Sequence, residues 1–311
     1  MYRLTYSIFY ILSLLPFWVL HLISDAFYLI VYHLVGYRKK VVMNNLAIAF
    51  PLKTEKERDR IARQFYHNLI DTFIESTKMV SISRAVLHKR ITANYEVIND
   101  LYASGKNVQL HSGHFFNWEF ANAALGDKLT YPFVGVYMPI SNKVFNKLFY
   151  KMRSRFGTKL IASNNFRNGF SEVKDKQYCL ALVGDQNPGD LSKAFWIDFF
   201  GRKTPFIKGL ELGAKTNNTA VVFCHFFPVK RGYYRAELKL LTKEAASMRD
   251  GEITMHFVRF MEESIRKSPA NYLWSHRRWK HQFRDEFHEQ VIDNIPDSEK
   301  INDPYLKSIK S

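Results

Sequence analysis

Strand-like and helix-like segments alternate through the middle of this chain, and no other feature of the sequence constrains the fold as strongly. Apolar runs rich in branched and aromatic residues predict strands near 92–98, 107–112, 132–137, 158–162, 178–184, 194–199, 219–227 and 233–242. Helical periodicity predicts helices near 117–125, 141–156, 164–174, 206–216 and 250–267. This alternation predicts an α/β fold with a mostly parallel sheet flanked by helices, and with some antiparallel strands late in the chain.

A long amphipathic helix is predicted ahead of the sheet, at 54–79. Thr54 and Glu57 at its start have the spacing of a capping box. Apolar side chains follow at four-residue spacing, at Ile61, Phe65, Leu69 and Phe73. We expect the 311-residue chain to divide into an N-terminal segment at 1–40, a main domain at 41–280 and a polar C-terminal tail at 281–311.

The first 40 residues are expected to form a membrane anchor, either spanning the bilayer or lying on it. Residues 8–23 are apolar except for Ser13 and His21, and a second apolar run at 26–35 precedes the cations at 38–40. The first run falls short of the roughly 20 residues that a straight spanning helix needs. A buried helix is the alternative, and a removed signal peptide is disfavoured because no small-residue cleavage site follows. The cations predict a cytoplasmic main domain.

The net charge of +16 is large and unevenly distributed. Residues 281–311 contain four Lys and Arg against seven Asp and Glu, so the other 280 residues have a net charge of +19. Such a charge favours anionic partners. Phospholipid headgroups, phosphorylated glycolipids, an acidic carrier protein and nucleic acid all belong to this class.

His114 and Glu119 are the main catalytic candidates. The predicted strand at 107–112 ends just before His114, and ligands gather at the carboxyl ends of strands in such folds. A histidine held by a carboxylate can remove a proton from an alcohol. We therefore expect Glu119 to fix the tautomer of His114 and to stabilise the imidazolium. The alternative is a helix N-terminal acid favoured by the helix dipole, beside an unrelated surface histidine.

Three further segments place polar or cationic side chains at predicted turns. Arg155 lies at the end of a predicted helix, where it would bind a phosphate or only cap the helix. Asp185 follows a predicted strand, where aspartate is also an ordinary turn residue. Arg202 and Lys203 precede a predicted helix with Thr204 as its N-cap, which would form an anion site.

Several catalytic signatures are absent from the sequence. It contains no Gly-x-Ser-x-Gly nucleophile elbow, no Walker loop, no His-Glu-x-x-His motif and no Cys-x-x-Cys pair. Serine acyl-enzyme, nucleotide and zinc chemistry therefore have no sequence support, and we expect neither a metal nor a bound cofactor. Cys179 and Cys224 lie in apolar strand-like runs, which favours reduced core packing over a disulfide.

In their order along the chain, these segments resemble the late acyltransferases of bacterial lipid A biosynthesis, the lauroyl/myristoyl branch of the lysophospholipid acyltransferase superfamily. The resemblance extends from the N-terminal segment to about Lys280. One departure is Phe116, where relatives commonly have glycine. The matching residues are Asn44-Asn45-Leu46, Phe50-Pro51, Gly113-His114-Phe115, Asn117-Trp118-Glu119, Arg155-Phe156-Gly157, Asp185-Gln186, Pro188-Gly189, Phe200-Gly201, Thr204, Trp274 and Arg277-Arg278.

This resemblance implies a glycerolipid acyltransferase-like fold, with 41–280 as the acyltransferase domain. It implies that His114 is the base and Glu119 its partner, that Arg155 binds substrate, and that Asp185 belongs to the active site. The bulky side chain of Phe116 would reshape the acceptor site.

The implied activity is transfer of a fatty acyl chain from a thioester to a hydroxyl of a lipid A precursor, at the cytoplasmic face of the bacterial inner membrane. Acyl carrier protein is the expected donor and acyl-CoA the alternative. Arg155, Arg202 and Lys203 would hold the acceptor phosphate. A lyso-phospholipid, an amino-acid lipid or a glycosylated phosphoinositide would be acylated by the same chemistry. A non-catalytic protein that binds headgroups or nucleic acid is the last alternative, although no nucleic-acid partner is expected.

Overall fold

The computed structural model describes residues 1–292, and a seven-stranded sheet forms its centre. The strands are, in chain order, β1 (Ile91–Ala93), β2 (Val108–Ser112), β3 (Phe133–Tyr137), β4 (Lys159–Ala162), β5 (Cys179–Val183), β6 (Ala194–Phe199), β7 (Arg202–Ile207), β8 (Ala220–Lys230) and β9 (Tyr233–Thr242). The sheet has the order β1-β9-β8-β2-β5-β3-β4. All neighbours are parallel except β8 and β9. β6 and β7 form a separate antiparallel pair.

Helices cover the sheet and precede it. They are α1 (Tyr2–Leu14), α2 (Phe17–Leu29), α3 (Lys39–Ala49), α4 (Glu55–Ser76), α5 (Arg84–Arg90), α6 (Glu96–Asn99), α7 (Trp118–Lys128), α8 (Lys143–Ser154), α9 (Phe166–Ser171), α10 (Gly209–Thr216) and α11 (Glu252–Lys267). α2 continues as a π-helical segment, Ile30–Val35. The predicted α/β class, with a mostly parallel sheet and a late antiparallel pair, is confirmed.

Local chemistry explains the best-predicted elements. At the start of α4 the Thr54 hydroxyl accepts from the backbone N–H of Glu57, and the Glu57 carboxylate accepts from the backbone N–H of Thr54, which is the predicted capping box. β2 and β5 lie between other strands of the sheet and begin with buried residues, as continuous apolar runs predict. Cys179 and Cys224 are buried and unpaired, so the prediction of reduced core packing is confirmed.

Two predicted elements were wrong in type or extent. The strand expected at 92–98 is only Ile91–Ala93, and the short helix α6 follows it. The helix expected from 206 begins at Gly209, because Arg202–Ile207 is a strand. Thr204 therefore lies within β7 and is not a helix cap; its hydroxyl donates to the carbonyl of Arg202.

The N-terminal and C-terminal segments flank the main domain in the sequence. Phe17–Val35 is, by length and composition, long and apolar enough to cross a membrane. At the other end, the first part of the predicted tail packs on β6, where the N–H of Ile292 donates to the carbonyl of Trp196. The rest of that tail, 293–311, lies outside the described residues.

Candidate active site

Two loops meet at the carboxyl ends of β2 and β5, which are parallel neighbours. Ser112 of β2 pairs with Val183 of β5, so His114 and Asp185 each lie two residues beyond these paired positions. The two strands are in register, and each loop continues two residues past the paired positions. The side chains of His114 and Asp185 therefore meet at the edge of the sheet. Ligand sites of open α/β folds form at such strand ends.

The imidazole of His114 is held by the carboxylate of Asp185. Nδ1 of His114 lies 2.7 Å from Oδ1 of Asp185, and the backbone N–H of His114 donates to the same oxygen at 3.1 Å. The side-chain amide nitrogen of Gln186 lies 3.2 Å from Nε2 of His114. With Nδ1 donating to the carboxylate, Nε2 is left with a lone pair, which is the tautomer that a general base requires.

The charges of the two groups shift both pKa values. Burial lowers the pKa of His114, but the charge of Asp185 and its hydrogen bond outweigh burial, so the pKa lies above its ordinary value of 6.5. Burial raises the pKa of Asp185, but the charge and hydrogen bonds of His114 outweigh it, with a contribution from the charge of Arg278, so this pKa is lowered. Asp185 therefore stays ionised beside an imidazole of raised basicity.

A buried arginine, Arg278, binds the loop that follows Asp185. Arg278 is fully buried and donates to the side-chain oxygen of Asn187 and to the carbonyl of Pro205, both at 2.8 Å. Burial lowers its pKa to about 10. Asn45, on α3, donates to the carbonyls of Trp274 and His276 and so fixes the segment that carries Arg278.

Glu119 does not make the contact with His114 that the sequence predicted. Its carboxylate accepts from Arg153, with Nη2–Oε1 at 2.6 Å and Nε–Oε2 at 2.9 Å, and from the indole N–H of Trp118 at 3.1 Å. The expected partner of the imidazole is thus replaced by Asp185. The physical reason is that His114 lies in the loop before α7, so the spacing to Glu119 is not a spacing on one helix face.

Arg155 is likewise placed away from the histidine. Its guanidinium donates to the carbonyls of Met79 and Ile82, at 3.1 Å and 2.7 Å, and so fastens the end of α8 to the segment after α4. Arg153, two residues earlier, is the arginine that faces His114's cleft. Burial lowers the pKa of Arg153, but the hydrogen bond and charge of Glu119 outweigh burial and raise it.

An apolar cleft of about 380 Å³ opens beside His114, between the sheet and α7. This volume falls within the roughly 300–1,000 Å³ range of small-molecule sites. Its polar groups include His114, Glu119 and Arg153, and most of its wall is hydrocarbon. The apolar wall residues include Leu110, Ala121, Leu125, Phe133, Val136, Leu160, Ala181, Leu182, Val183, Cys224 and Phe226.

Phe116 does not belong to this cleft. Its side chain is buried, with its ring 5.7 Å from that of Phe65 on α4. Phe116 instead lines a separate concavity together with Asn68, Arg231 and Tyr234. That a bulky residue here reshapes the acceptor site therefore stays a prediction.

Arg202 lies in a second concavity, of about 570 Å³, which we call the basic depression and define by Lys40, Arg202, Arg277 and Lys280. Its lining, within residues 1–292, contains no acidic side chain. A neighbouring hollow shares Arg277 and Lys280 and also includes Asn187, in the loop that follows Asp185. Lys203 is not in the depression lining, and its ammonium lies 3.4 Å from Asp198.

Sequence reasoning missed the roles of Arg153, Arg278, Gln186 and Asn45, although each lies in or beside a motif that it had singled out. The motifs indicated only that these segments matter. The contacts themselves could not be predicted, because the partner residues are distant in the chain. Among residues 1–292, His, Cys, Asp and Glu side chains do not cluster in threes that could hold a metal ion.

Comparisons with known proteins identify relatives of this chain. A family model described as bacterial lipid A biosynthesis acyltransferase matches residues 2–281. The chain is 24% identical over 251 residues to the lipid A biosynthesis lauroyltransferase of Escherichia coli (strain K12), covering 78% of this chain and 79% of that protein. It is 20% identical over 246 residues to the palmitoleoyltransferase of the same organism, with the same coverage. It is 24% identical over 273 residues to a lipid A biosynthesis acyltransferase of Haemophilus influenzae, covering 85% and 82%.

Proposed function

The chain belongs to the bacterial lipid A biosynthesis acyltransferase family, and on this premise we propose that it moves a fatty acyl chain from a thioester to a hydroxyl of a lipid A precursor at the cytoplasmic face of the bacterial inner membrane. The observation that carries the proposal is the His114–Asp185 pair at one end of an apolar cleft. A base poised next to a space for hydrocarbon is the combination that acyl transfer to an alcohol requires.

His114 acts as the general base. Its Nε2 accepts the proton of the acceptor hydroxyl, in place of the contact with Gln186, while the hydroxyl oxygen attacks the thioester carbonyl. The C–S bond then breaks, the new ester remains, and the thiolate leaving group takes the proton back from the imidazolium. Asp185 holds the ring and offsets its positive charge, a role that the sequence had given to Glu119.

Glu119 and Arg153 act on the other side of the reacting carbon. Arg153 is charged and largely buried, and Glu119 fixes its guanidinium at the cleft by paired hydrogen bonds. We assign to Arg153 the stabilisation of the negative charge that develops on the carbonyl oxygen, and to Glu119 the positioning of Arg153. Such a preorganised cation is most effective where water is excluded, as beside the apolar wall of this cleft.

The two substrates take different surfaces. The acyl chain enters the apolar cleft, and the phosphate of the acceptor is bound in the basic depression, with Arg202 as its main ligand. The hollow beside Asn187 connects that depression to the loop of Asp185. An acyl carrier protein, whose surface is acidic, is the proposed donor because of the positive charge of the chain, with acyl-CoA as the alternative.

Product analysis tests the proposal. Lipid extracts of cells with and without the gene are compared by mass spectrometry, and we expect a lipid A species to lose one acyl chain. The purified protein with an acyl carrier thioester and a lipid A precursor should restore that mass, and His114→Ala should not. If a phospholipid or an amino-acid lipid loses the acyl chain instead, that lipid is the acceptor, and the proposed reaction type is unchanged. Unchanged turnover by His114→Ala would refute the mechanism.

A further inference from the structure

The polar side of α2 is fastened to the main domain. Nε2 of His21 lies 2.8 Å from Oε1 of Glu75, and the hydroxyl of Ser24 donates to Asp71 at 2.6 Å. Arg231, in the β8–β9 turn, donates to both Asp71 and Asp25. These side chains of α2 are three to four positions apart, so they lie on one face of the helix. Lifting α2 away would leave charged and hydrogen-bonding groups without their partners.

α1 contacts the main domain at both of its ends, through hydrogen bonds at one end and a cation–ring contact at the other. The ammonium of Lys78 donates to the backbone carbonyl of Ser13 at 2.7 Å, and the hydroxyl of Ser81 donates to the same carbonyl. At the other end, the ammonium of Lys147 lies 4.8 Å from the ring centre of Tyr2. Both N-terminal helices therefore lie along the main domain over their whole length.

The opposite faces of the two helices, and of the π-helical segment that continues α2, expose large apolar side chains. Leu34, for example, is 80% exposed and Trp18 is 65% exposed. On the helices the exposed positions recur at helical spacing. α1 also contacts the start of α8, where the ring of Phe145 lies 6.1 Å from that of Phe9, and in the connection before α8 the exposed Met138 lines the apolar cleft. This face comprises Leu4, Ile8, Ile11, Leu14, Trp18, Leu22, Leu29, Leu34, Val35, Met138, Ile140, Phe145 and Tyr150.

The charges around this face identify its partner. Arg38, Lys39 and Lys40 are exposed and follow the π-helical segment that continues α2. The acid on α1 and α2 is Asp25, and Arg231 pairs with it. Apolar and aromatic side chains bordered by cations are typical of a helix that lies in the headgroup region of an anionic bilayer.

We propose that α1 and α2 lie in one leaflet as an in-plane platform, with their exposed apolar face in the lipid, and that neither helix crosses the bilayer. In a crossing helix, His21, Ser24 and Asp25 would enter the hydrocarbon without their partners on the main domain, and ionisable groups there are costly. In the in-plane arrangement the part of the cleft lined by Met138 faces the same leaflet. The inference rests on the proposed function only in taking the bacterial inner membrane as the bilayer.

Site-directed labelling separates the two arrangements. The native cysteines are buried, so single cysteines can be introduced at exposed positions by Arg3→Cys, Pro16→Cys and Lys89→Cys. Inner-membrane vesicles of each orientation are treated with a membrane-impermeant maleimide. We expect Arg3→Cys to be labelled only from the face that labels Lys89→Cys, on the main domain, and Pro16→Cys to be labelled from neither face or from that face alone.

Labelling of Arg3→Cys or Pro16→Cys from the opposite face would overturn the proposal, since one crossing exposes the first position there and a helical hairpin exposes the second. Release of the full chain from vesicles by a high-pH carbonate wash would also overturn it. As a matched test, Trp18→Glu with Leu22→Glu should lower partition into vesicles containing phosphatidylglycerol at least tenfold, whereas Lys56→Glu, away from this face, should have a smaller effect. The labelling result does not depend on turnover, so a wrong acceptor would leave it unchanged.

Discussion

Nδ1 of His114 lies 2.7 Å from Oδ1 of Asp185, a residue 71 positions later in the chain. The contact exists because β2 and β5 are parallel neighbours whose loops leave the sheet at the same register. It assigns the orientation of the imidazole to Asp185, and it leaves Glu119 free to hold Arg153.

Asp185→Asn should lower kcat by roughly 10²–10⁴-fold, the usual contribution of a positioned general base. It should also move the acid limb of kcat/KM to lower pH. The base must be neutral, so activity rises as pH passes the pKa of His114, which Asp185 raises above 6.5. With the carboxylate removed, burial alone acts on the imidazole and lowers this pKa. A pH profile of the variant that matches the wild type would contradict the assignment.

Glu119→Gln should act through Arg153 and should leave the acid limb in place. Loss of one partner of a buried ion pair destabilises a protein, and with Arg153 about one-fifth exposed we expect a cost of about 2 kcal/mol in the free energy of unfolding. The loss of kcat in Glu119→Gln with Arg153→Met should be much smaller than the product of the two single losses, because both changes remove one guanidinium from its position. Independent, multiplicative losses would show that Glu119 has a separate role.

Arg155→Ala should affect stability and not substrate binding. Its guanidinium donates to two backbone carbonyls in partly buried hydrogen bonds, so we expect a loss of about 1–2 kcal/mol in the free energy of unfolding, measured by chemical denaturation. KM for the acceptor should stay within twofold of the wild-type value. A tenfold increase in that KM, with stability unchanged, would restore the substrate-binding role expected from the sequence.

Arg202→Ala should raise KM for a phosphorylated acceptor about tenfold, equivalent to ~1.4 kcal/mol of binding free energy. The effect should shrink in high salt, because the depression is open to solvent. Arg167→Ala, an exposed cation on α9, is the matched control. If the two variants bind the acceptor equally well, the phosphate is held elsewhere.

Gly135→Leu should shift the preferred donor toward shorter acyl chains. Gly135 lines the cleft, and a Cβ added there would make only ordinary contacts, the nearest at 3.4 Å to Thr158, so a side chain can be accommodated and would occupy part of the cleft. Competition between donors of different length, with Gly135→Ala as the smaller step, measures the change. An unaltered preference would place the acyl chain outside this cleft.

The sequence was sufficient for the class of fold and for most strand positions, because branched and aromatic runs between helical patterns are local signals. β7 was missed for a physical reason: Thr204 and Pro205 have the chemistry of a helix start, and only pairing with β6 makes them a strand. The local helix propensity of this segment was overridden by pairing with β6, which lies outside the segment.

The candidate site was predictable in its location and not in its connections. The position of His114 at a strand end followed from the order of elements, whereas its partner depends on which strands are neighbours. The choice between Arg153 and Arg155 needed the orientation of α8, since residues two apart on a helix point about 200° apart. The motifs therefore named these segments, whereas the hydrogen-bond partners of Glu119 and Arg155 depended on the fold.

The carboxylate of Glu75 accepts from Asn117, the residue directly before α7, and from Tyr234, and it also contacts His21 of α2. A single buried acid thus joins α2 to the segment that follows His114. Shortening the chain to 41–311 in order to obtain a detergent-free protein would strip this acid of one neighbour and unsettle the start of α7. If such a fragment were inactive, the cause would be a disturbed structure around α7. The result would not show that turnover requires lipid.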